Sequence, residues 1–360
     1  MEYKKYKLKE LLTIKNGKDH KKLDNGSYPV YGSGGYMRSV DSFLYDDTSI
    51  LLPRKGTLSN IQFISGTPFW TVDTIYYTIL NENLYDPYYL YLYLNSLDLS
   101  GYDSGASIPS MTSKTYYSLN VVLPEKRIQT KVANIIRDYD KFIENNNKRI
   151  RLLEQMAENL YKEWFVRFRF PGYEDVEFID GFPKEWKICR MDQLAKIKAG
   201  GDAPADSTKE LTDECSIPIY SNGIENEGLY GYTSKAKISK PSITISARGT
   251  VGYTCLRRVH YTPIVRLICI IPHEEKLANW LYYYFKRTIV IANGTSQQQI
   301  TIPMMSREKV LFPTEDLINK FYDYSTAYLD EMDRLKEQNS NLKKQRDMLL
   351  PRLMSGKLEV

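Results

Sequence analysis

The sequence predicts an α/β (α+β) chain. Two tandem globular domains with mixed sheets are expected, separated by two long helices whose apolar stripes can pair as a coiled coil. Three observations point there. First, the chain repeats itself: GASIPSMTSKTYYSLNVVLP from Gly105 and GTSQQQITIPMMSREKVLFP from Gly294 share a Gly-x-Ser start and end in an apolar-apolar-Pro triplet, 189 positions apart. Second, each copy carries short alternating runs rich in Ile, Tyr and Thr and broken by Gly and Pro, the signature of strands. Third, each copy closes on about 40 residues whose apolar positions recur every three or four, close to a heptad seam.

The repeat extends beyond those blocks. LLTIKNG (Leu11 to Gly17) matches LAKIKAG (Leu194 to Gly200), YPVYGSGG from Tyr28 matches IPIYSNGI from Ile217, and PRKGT (Pro53 to Thr57) matches SARGT (Ser246 to Thr250). The offset drifts between 183 and 193 while the order of landmarks holds, as duplication followed by loop changes would leave it. The boundaries expected are 1–124 and 187–313 for the globular domains, 125–170 and 314–355 for the helices, and 171–186 for a linker.

Within the first domain TSILLP (Thr48 to Pro53), NIQFI (Asn60 to Ile64) and TIYYTIL (Thr74 to Leu80) read as strands. Asp86 can cap a short helix with Pro87 at its first position. The second domain repeats this with SITIS from Ser242, LICII from Leu267 and a helix over KLANWLYYYFKR from Lys276. The first long helix is expected to present Ile128, Val132, Ile135, Tyr139, Phe142, Ile150, Leu153 and Leu160. The second should present Leu317, Phe321, Tyr324, Tyr328, Leu335, Leu342 and Leu349. A narrow stripe about 60 Å long cannot be buried by one small domain, and the chain contains a second stripe of matching length. Asn145, Asn146 and Asn147 interrupt one stripe, Gln338 and Asn339 the other. They are either tolerated polar positions or controls of register, since a buried Asn penalises misaligned pairing.

Composition sets the limits. A chain of 360 residues suits about two domains. A net charge of +5 is compatible with a polyanion partner without arguing for one. The 30 tyrosines fit either coding bias or surface stacking. Cys189, Cys215, Cys255 and Cys269 lie in no CxxC spacing, and no zinc arrangement involves His20, His260 or His273. No secretory leader or membrane span is legible, so a cytoplasmic location is expected. The chain has no P-loop, no GxGxxG after a strand, no GxSxG elbow and no HExxH. Asp86-Pro87-Tyr88-Tyr89 resembles the (D/N)PP(Y/F) loop of amino-methyltransferases but lacks the second Pro and an upstream cofactor loop. A helix cap explains it. No catalytic residue and no metal ligand is assigned.

Two globule-plus-helix units joined through antiparallel helices would be related by an approximate two-fold axis. Duplex DNA has the same kind of dyad, and a two-fold protein reads half-sites about 34 Å apart. Unlike globules would read unlike half-sites. A rod that scaffolds proteins has the same geometry.

The paired GxS…P blocks, PRKGT and ARGT, PFWTVDT from Pro68, LLEQMAENLYKEWFVRF from Leu152 and the terminal LLPRLMSGKLEV resemble the DNA-specificity subunits of type I restriction–modification systems over essentially the whole chain. The resemblance implies two target-recognition domains reading a bipartite, asymmetric double-stranded DNA sequence across a spacer of two long helices that form an antiparallel coiled coil. It implies docking of two methyltransferase subunits and of restriction subunits, with S-adenosylmethionine, ATP and Mg on those partners and no cofactor on this chain. The second copy departs from the pattern where RVHYTPIVRL replaces the Phe-Trp pair.

Base edges and phosphates are read by Arg, Lys, Asn, Gln, Ser and Thr. On loops expected from the sequence these are Ser33, Arg38, Arg54, Lys55, Thr57, Asn60, Ser107 and Lys114 in the first half. In the second they are Ser221, Asn222, Arg248, Thr250, Arg257, Arg258, Gln297, Gln298 and Gln299. Arg54-Lys55 and Arg248 stand before Gly-Thr in both copies, and consecutive Gln side chains suit adenine. Two alternatives stay open: the same subunit in a methylation-only complex, and a two-headed scaffold that binds no DNA.

Overall fold

The computed structural model of the chain describes residues 3–99, 109–248, 251–292 and 301–358. The chain divides into two compact units, Met1–Asn146 with Glu337–Val360, and Asn147–Lys336.

In chain order the first half runs β1 (Tyr3–Lys7), α1 (Leu8–Leu11), β2 (Leu12–Asn16), β3 (Asn25–Gly32), β4 (Gly35–Val40), β5 (Ser49–Pro53), β6 (Gln62–Ile64), β7 (Trp70–Thr71), β8 (Ile75–Leu80), α2 (Pro87–Asn95), α3 (Ser113–Ser118), β9 (Asn120–Pro124) and α4 (Lys126–Phe165). A small hairpin follows, β10 (Phe178–Ile179) and β11 (Phe182–Pro183). Asp180 and Gly181, both at positive φ, close it, as Asp-Gly hairpin turns do. The second half runs β12 (Lys187–Arg190), α5 (Met191–Leu194), β13 (Ala195–Ala199), β14 (Ile217–Tyr220), β15 (Leu229–Thr233), β16 (Ser242–Ile245), β17 (Thr254–Arg257), β18 (Thr262–Pro263), β19 (Ile268–Pro272), α6 (Leu277–Ala292), α7 (Ile302–Arg307), β20 (Lys309–Phe312) and α8 (Glu315–Met354).

The topology is duplicated sheet by sheet. The order β2-β8-β5-β6 recurs as β13-β19-β16-β17, β4-β3-β7 as β15-β14-β18, and β1-β9 as β12-β20. In each three-stranded sheet one pairing is parallel, β3 with β7 and β14 with β18. These pairings align Trp70 with Thr262, because Val30 faces Trp70 and Ile219 faces Thr262. The replaced Phe-Trp segment therefore keeps its place in the sheet with different side chains: Phe69 and Tyr261 are both buried.

Two matched glycines show why the repeat conserved its small residues. A Cβ on Gly17 would lie 2.1 Å from the carbonyl oxygen of Val72, and one on Gly200 2.7 Å from the amide nitrogen of Ile264. In both units the backbone passes too close to a neighbouring strand for any side chain. Asp86 caps α2 as the sequence predicts, accepting from the amides of Tyr88 and Tyr89 at 3.0 and 3.1 Å.

Each long helix contributes to both units. In the first, α4 and α8 run antiparallel, since Asp140 pairs with Arg346 and Asn146 with Asn339. In the second they do so again, with Arg149 bound to Glu331 and Trp164 packed on Tyr324. The seam advances in steps of three and four, and it departs from the expectation at Phe142 and Tyr324. On α4, Val132, Ile136, Ile143, Asn146, Ala157 and Trp164 are buried. Ile128, Ile135, Tyr139, Ile150, Leu153 and Leu160 are partly buried. Phe142 is 61% exposed, and the neighbouring Ile143 takes its place. On α8, Leu317, Phe321, Ser325, Met332, Leu335, Asn339 and Leu353 are buried, with Tyr328, Leu342 and Leu349 partly so. Tyr324 is 55% exposed, and Ser325 sits inward in its stead. A large aromatic beside a smaller seam residue covers the rim, which a periodicity count reads as the seam itself.

The first core gathers Leu8, Leu11, Ile50, Tyr85, Tyr89 and Tyr116 around Val132 and Ile136 of α4 and Leu353 of α8. The second gathers Ile243, Ile270, Trp280, Tyr283 and Met305 around Tyr161, Trp164 and Phe321 of the helices. Several tyrosines are thus core residues, a role beside the two that composition suggested.

Candidate nucleic-acid interface

In the first unit the turn joining β3 to β4 and the loop after β5 brace one another. Ser33 donates its amide to Thr74 Oγ1 at 3.3 Å and accepts at its carbonyl from Asn60 Nδ2 at 2.7 Å. Gln62 Nε2 donates to the Gly32 carbonyl at 2.9 Å. The amides of Arg54 and Lys55 both reach the Thr74 carbonyl, and that of Gly56 reaches Pro109. Gly56 holds φ at 86°, a left-handed turn that glycine adopts without strain. Lys55 and Thr57, on either side of it, are exposed. Arg54 is half-buried, its guanidinium carbon 5.8 Å from the centroid of the Tyr76 ring. Beside this loop lies a hollow of about 760 Å³ lined by Asp19, His20, Lys21, Ser33, Tyr36 and Thr74, among others.

Several predicted residues do other work. Arg38 stands on strand β4 rather than a loop, and its guanidinium donates to the carbonyls of Leu23 and His20. Asn60 braces the turn as described. Lys114 is exposed on α3. Ser107 lies outside the described residues.

In the second unit Asn222 spans two strand ends. Its Nδ2 donates to the Val265 carbonyl at 2.7 Å, and its Oδ1 accepts from the Ala247 amide at 2.8 Å. Ser221 is half-buried and donates its amide to Gly228. Arg248 follows Ala247 and is exposed. By the repeat it matches Lys55, so both units carry an exposed cation at one loop position. Arg257 is not on a loop: it ends β17 and is 3% exposed. It donates through Nε to Thr244 Oγ1 at 3.0 Å and stacks 3.7 Å over the Tyr220 ring. Arg258 pairs with Asp330 and Asp333 of α8. Thr250, Gln297, Gln298 and Gln299 lie outside the described residues.

Sequence reasoning passed over Lys21 and Tyr36. Both line the hollow beside Ser33, and Tyr36 is 62% exposed. The basic run after Asp19 and the Tyr directly after GSGG were the available signals. Among the described residues, no group of three or more His, Cys, Asp or Glu could hold a metal ion, and no helix is long and apolar enough to cross a membrane.

The family model for the type I restriction modification DNA specificity domain matches residues 1–155 and 183–341. The chain belongs to that family. The two matched segments of the specificity domain follow the repeat. The MjaIX type I restriction enzyme specificity subunit of Methanocaldococcus jannaschii is 23% identical over 353 residues, covering 88% of this chain and 79% of its own. The HindI specificity subunit of Haemophilus influenzae is 24% identical over 382 residues, covering 82% and 81%. The crystal structure of a type I restriction–modification S subunit from M. genitalium shares the fold, with a TM-score of 0.67 at 18% identity, covering 98% of this chain and 96% of that one.

Proposed function

We propose that this chain is the double-stranded-DNA-reading subunit of a type I restriction–modification complex. Each unit reads one part of a bipartite, asymmetric target, and the long helices receive two methyltransferase subunits and restriction subunits. The chain itself is non-catalytic; S-adenosylmethionine, ATP and Mg belong on those partners, in the cytoplasm. The observation that carries the reading is the exposed cation at one repeat position in both units, Lys55 and Arg248, on loops suited to phosphate and base contact, in a chain of the specificity family.

The test is selection from random duplex DNA by this chain co-expressed with a methyltransferase partner. A split, asymmetric consensus with a fixed gap is expected. Exchanging Met1 to Pro124 for the matching segment of another specificity subunit should change one half of the consensus and leave the other. No enrichment by an intact complex would leave the protein scaffold as the reading. Purification of the same complex without a restriction subunit would favour the methylation-only form.

A further inference from the structure

We propose that Arg258, with Glu227 and Lys336, straps the sheets of the second unit to helix α8 at a fixed tilt, and so sets how strictly the gap in the DNA target is measured. The inference rests on the DNA-reading function proposed above.

Arg258 leaves the end of β17 and forks over α8. Nη1 lies 2.7 Å from Asp333 Oδ2, and Nη2 bonds Asp330. Those carboxylates are three residues apart and share one helix face, so a single planar guanidinium reads both. Three residues beyond Asp333, Lys336 lies 3.3 Å from Glu227 Oε1. Glu227 sits in a turn where it and Asn226 hold φ at 56° and 46°, a conformation that persists only where surroundings enforce it. Arg257 supplies the enforcement: Nη1 reaches Glu227 Oε2 at 3.3 Å and Nη2 bonds the Glu227 carbonyl. Arg257 in turn stacks on Tyr220, the residue directly before the Ser221-Asn222 loop. An unbroken run of contacts thus joins α8 to a candidate reading loop.

The sheets rest on the helices along a second line, through α6. Asn279 Nδ2 donates to Ser325 Oγ at 2.9 Å and to Thr326 Oγ1 at 3.0 Å, and Lys286 lies 3.4 Å from Glu158. Between the two lines is a cavity of about 800 Å³ lined by Ile150, Cys255, Tyr282, Met332 and others. The hydrophobic core packs the sheets along the α6 side and the cavity lies beside it, so the sheets can tilt about that packed side when the strap is cut. The strap's carboxylates are exposed, Asp330 at 61% and Asp333 at 55%, so it adds little to folding stability and can act on orientation alone. The matching position in the first unit, after β6, is Ser65, which cannot make the fork.

The experiment compares binding of the co-expressed complex to its selected site with binding to the same site one base pair longer or shorter. Arg258→Ala and Arg258→Glu are expected to lower the preference for the native gap by about threefold or more, with both half-sites and the melting temperature unchanged. Arg258→Glu combined with Asp330→Arg and Asp333→Arg should restore the preference. Lys336→Ala gives the same readout should the Glu variant not fold. Wild-type gap preference in the variants overturns the proposal. So does a uniform loss of affinity at every gap, which would make Arg258 a phosphate contact. A wild-type complex that selects nothing overturns the DNA reading, and this inference falls with it.

Discussion

Asn146 donates through Nδ2 to Oδ1 of Asn339 at 3.0 Å, and to Gln338 Oε1 at 3.1 Å, within the seam between α4 and α8. Both asparagines are buried, at 5% and 6% exposure. At the repeat offset of 189 their counterparts are Leu335 and Ile150, so the polar layer exists in one copy only. Replacing Asn339 by Leu removes one acceptor from a buried amide and should cost about 1–3 kcal/mol. Replacing both asparagines by Leu should recover that loss or exceed it, because an apolar pair packs without a desolvation penalty, at the expense of register selectivity. Urea midpoints of the single and double variants check the order.

The two close-approach glycines make a sharper stability prediction. Gly17→Ala and Gly200→Ala each drive a methyl into backbone and should destabilise the chain by about 2 kcal/mol or more. Gly201→Ala, where the nearest atom to a Cβ is the mobile Lys237 Nζ at 3.8 Å, should leave the melting temperature nearly unchanged. Thermal unfolding of the three variants separates a local spatial demand from a general intolerance of that strand end.

Arg248 and Arg257 should fail in opposite ways. Arg248→Ala, at an exposed loop position, is expected to keep the wild-type melting temperature, weaken DNA binding, and lower the salt slope by about one unit. Arg257→Ala empties a buried site and unties the Glu227 turn, and should cost about 2–4 kcal/mol. A salt titration of binding beside a melting curve assigns each residue; unchanged affinity for the selected site in Arg248→Ala would remove it from the interface.

Alkaline pH should unfold this protein cooperatively. Burial raises the hydroxyls of Tyr85, Tyr116 and Tyr261 above the ordinary value near 10, and pushes the Cys269 thiol up to about 11. The unfolded chain ionises these groups at their ordinary values while the folded chain keeps them protonated. Their contribution is fully present below pH ~8.5 for the thiol and ~10 for the phenols, and stability falls with each step above those points. Tyrosinate absorbance should rise in two phases, the second coinciding with loss of circular dichroism.

The duplication, the strand-rich halves and the long helices were legible because they are patterns over tens of residues. The repeat even located Gly17 and Gly200 before their spatial reason was visible. Single positions were harder. Phe142 and Tyr324 are apolar and one step from the seam, and only packing distinguishes them from Ile143 and Ser325. Arg257 and Arg258 look alike in sequence, yet one ends a strand in the core and the other reaches a helix 72 residues further along. Asn60 and Asn222 carry the chemistry of base readers and spend it on loop backbones, as only the distances reveal. Lys55 and Arg248 stand out because the same short motif frames them twice, and both are exposed.

Leu353 packs in the core that Leu8 and Leu11 build, while the unit Asn147–Lys336 is continuous in the chain. On the ribosome, the middle of the polypeptide therefore has all its parts before the beginning does. Most of the first core comes from residues 8–136, but the part that Leu353 completes stays open until the last helical turns are synthesised. Completion of the two units thus runs against the usual order in which domains mature from the N-terminus.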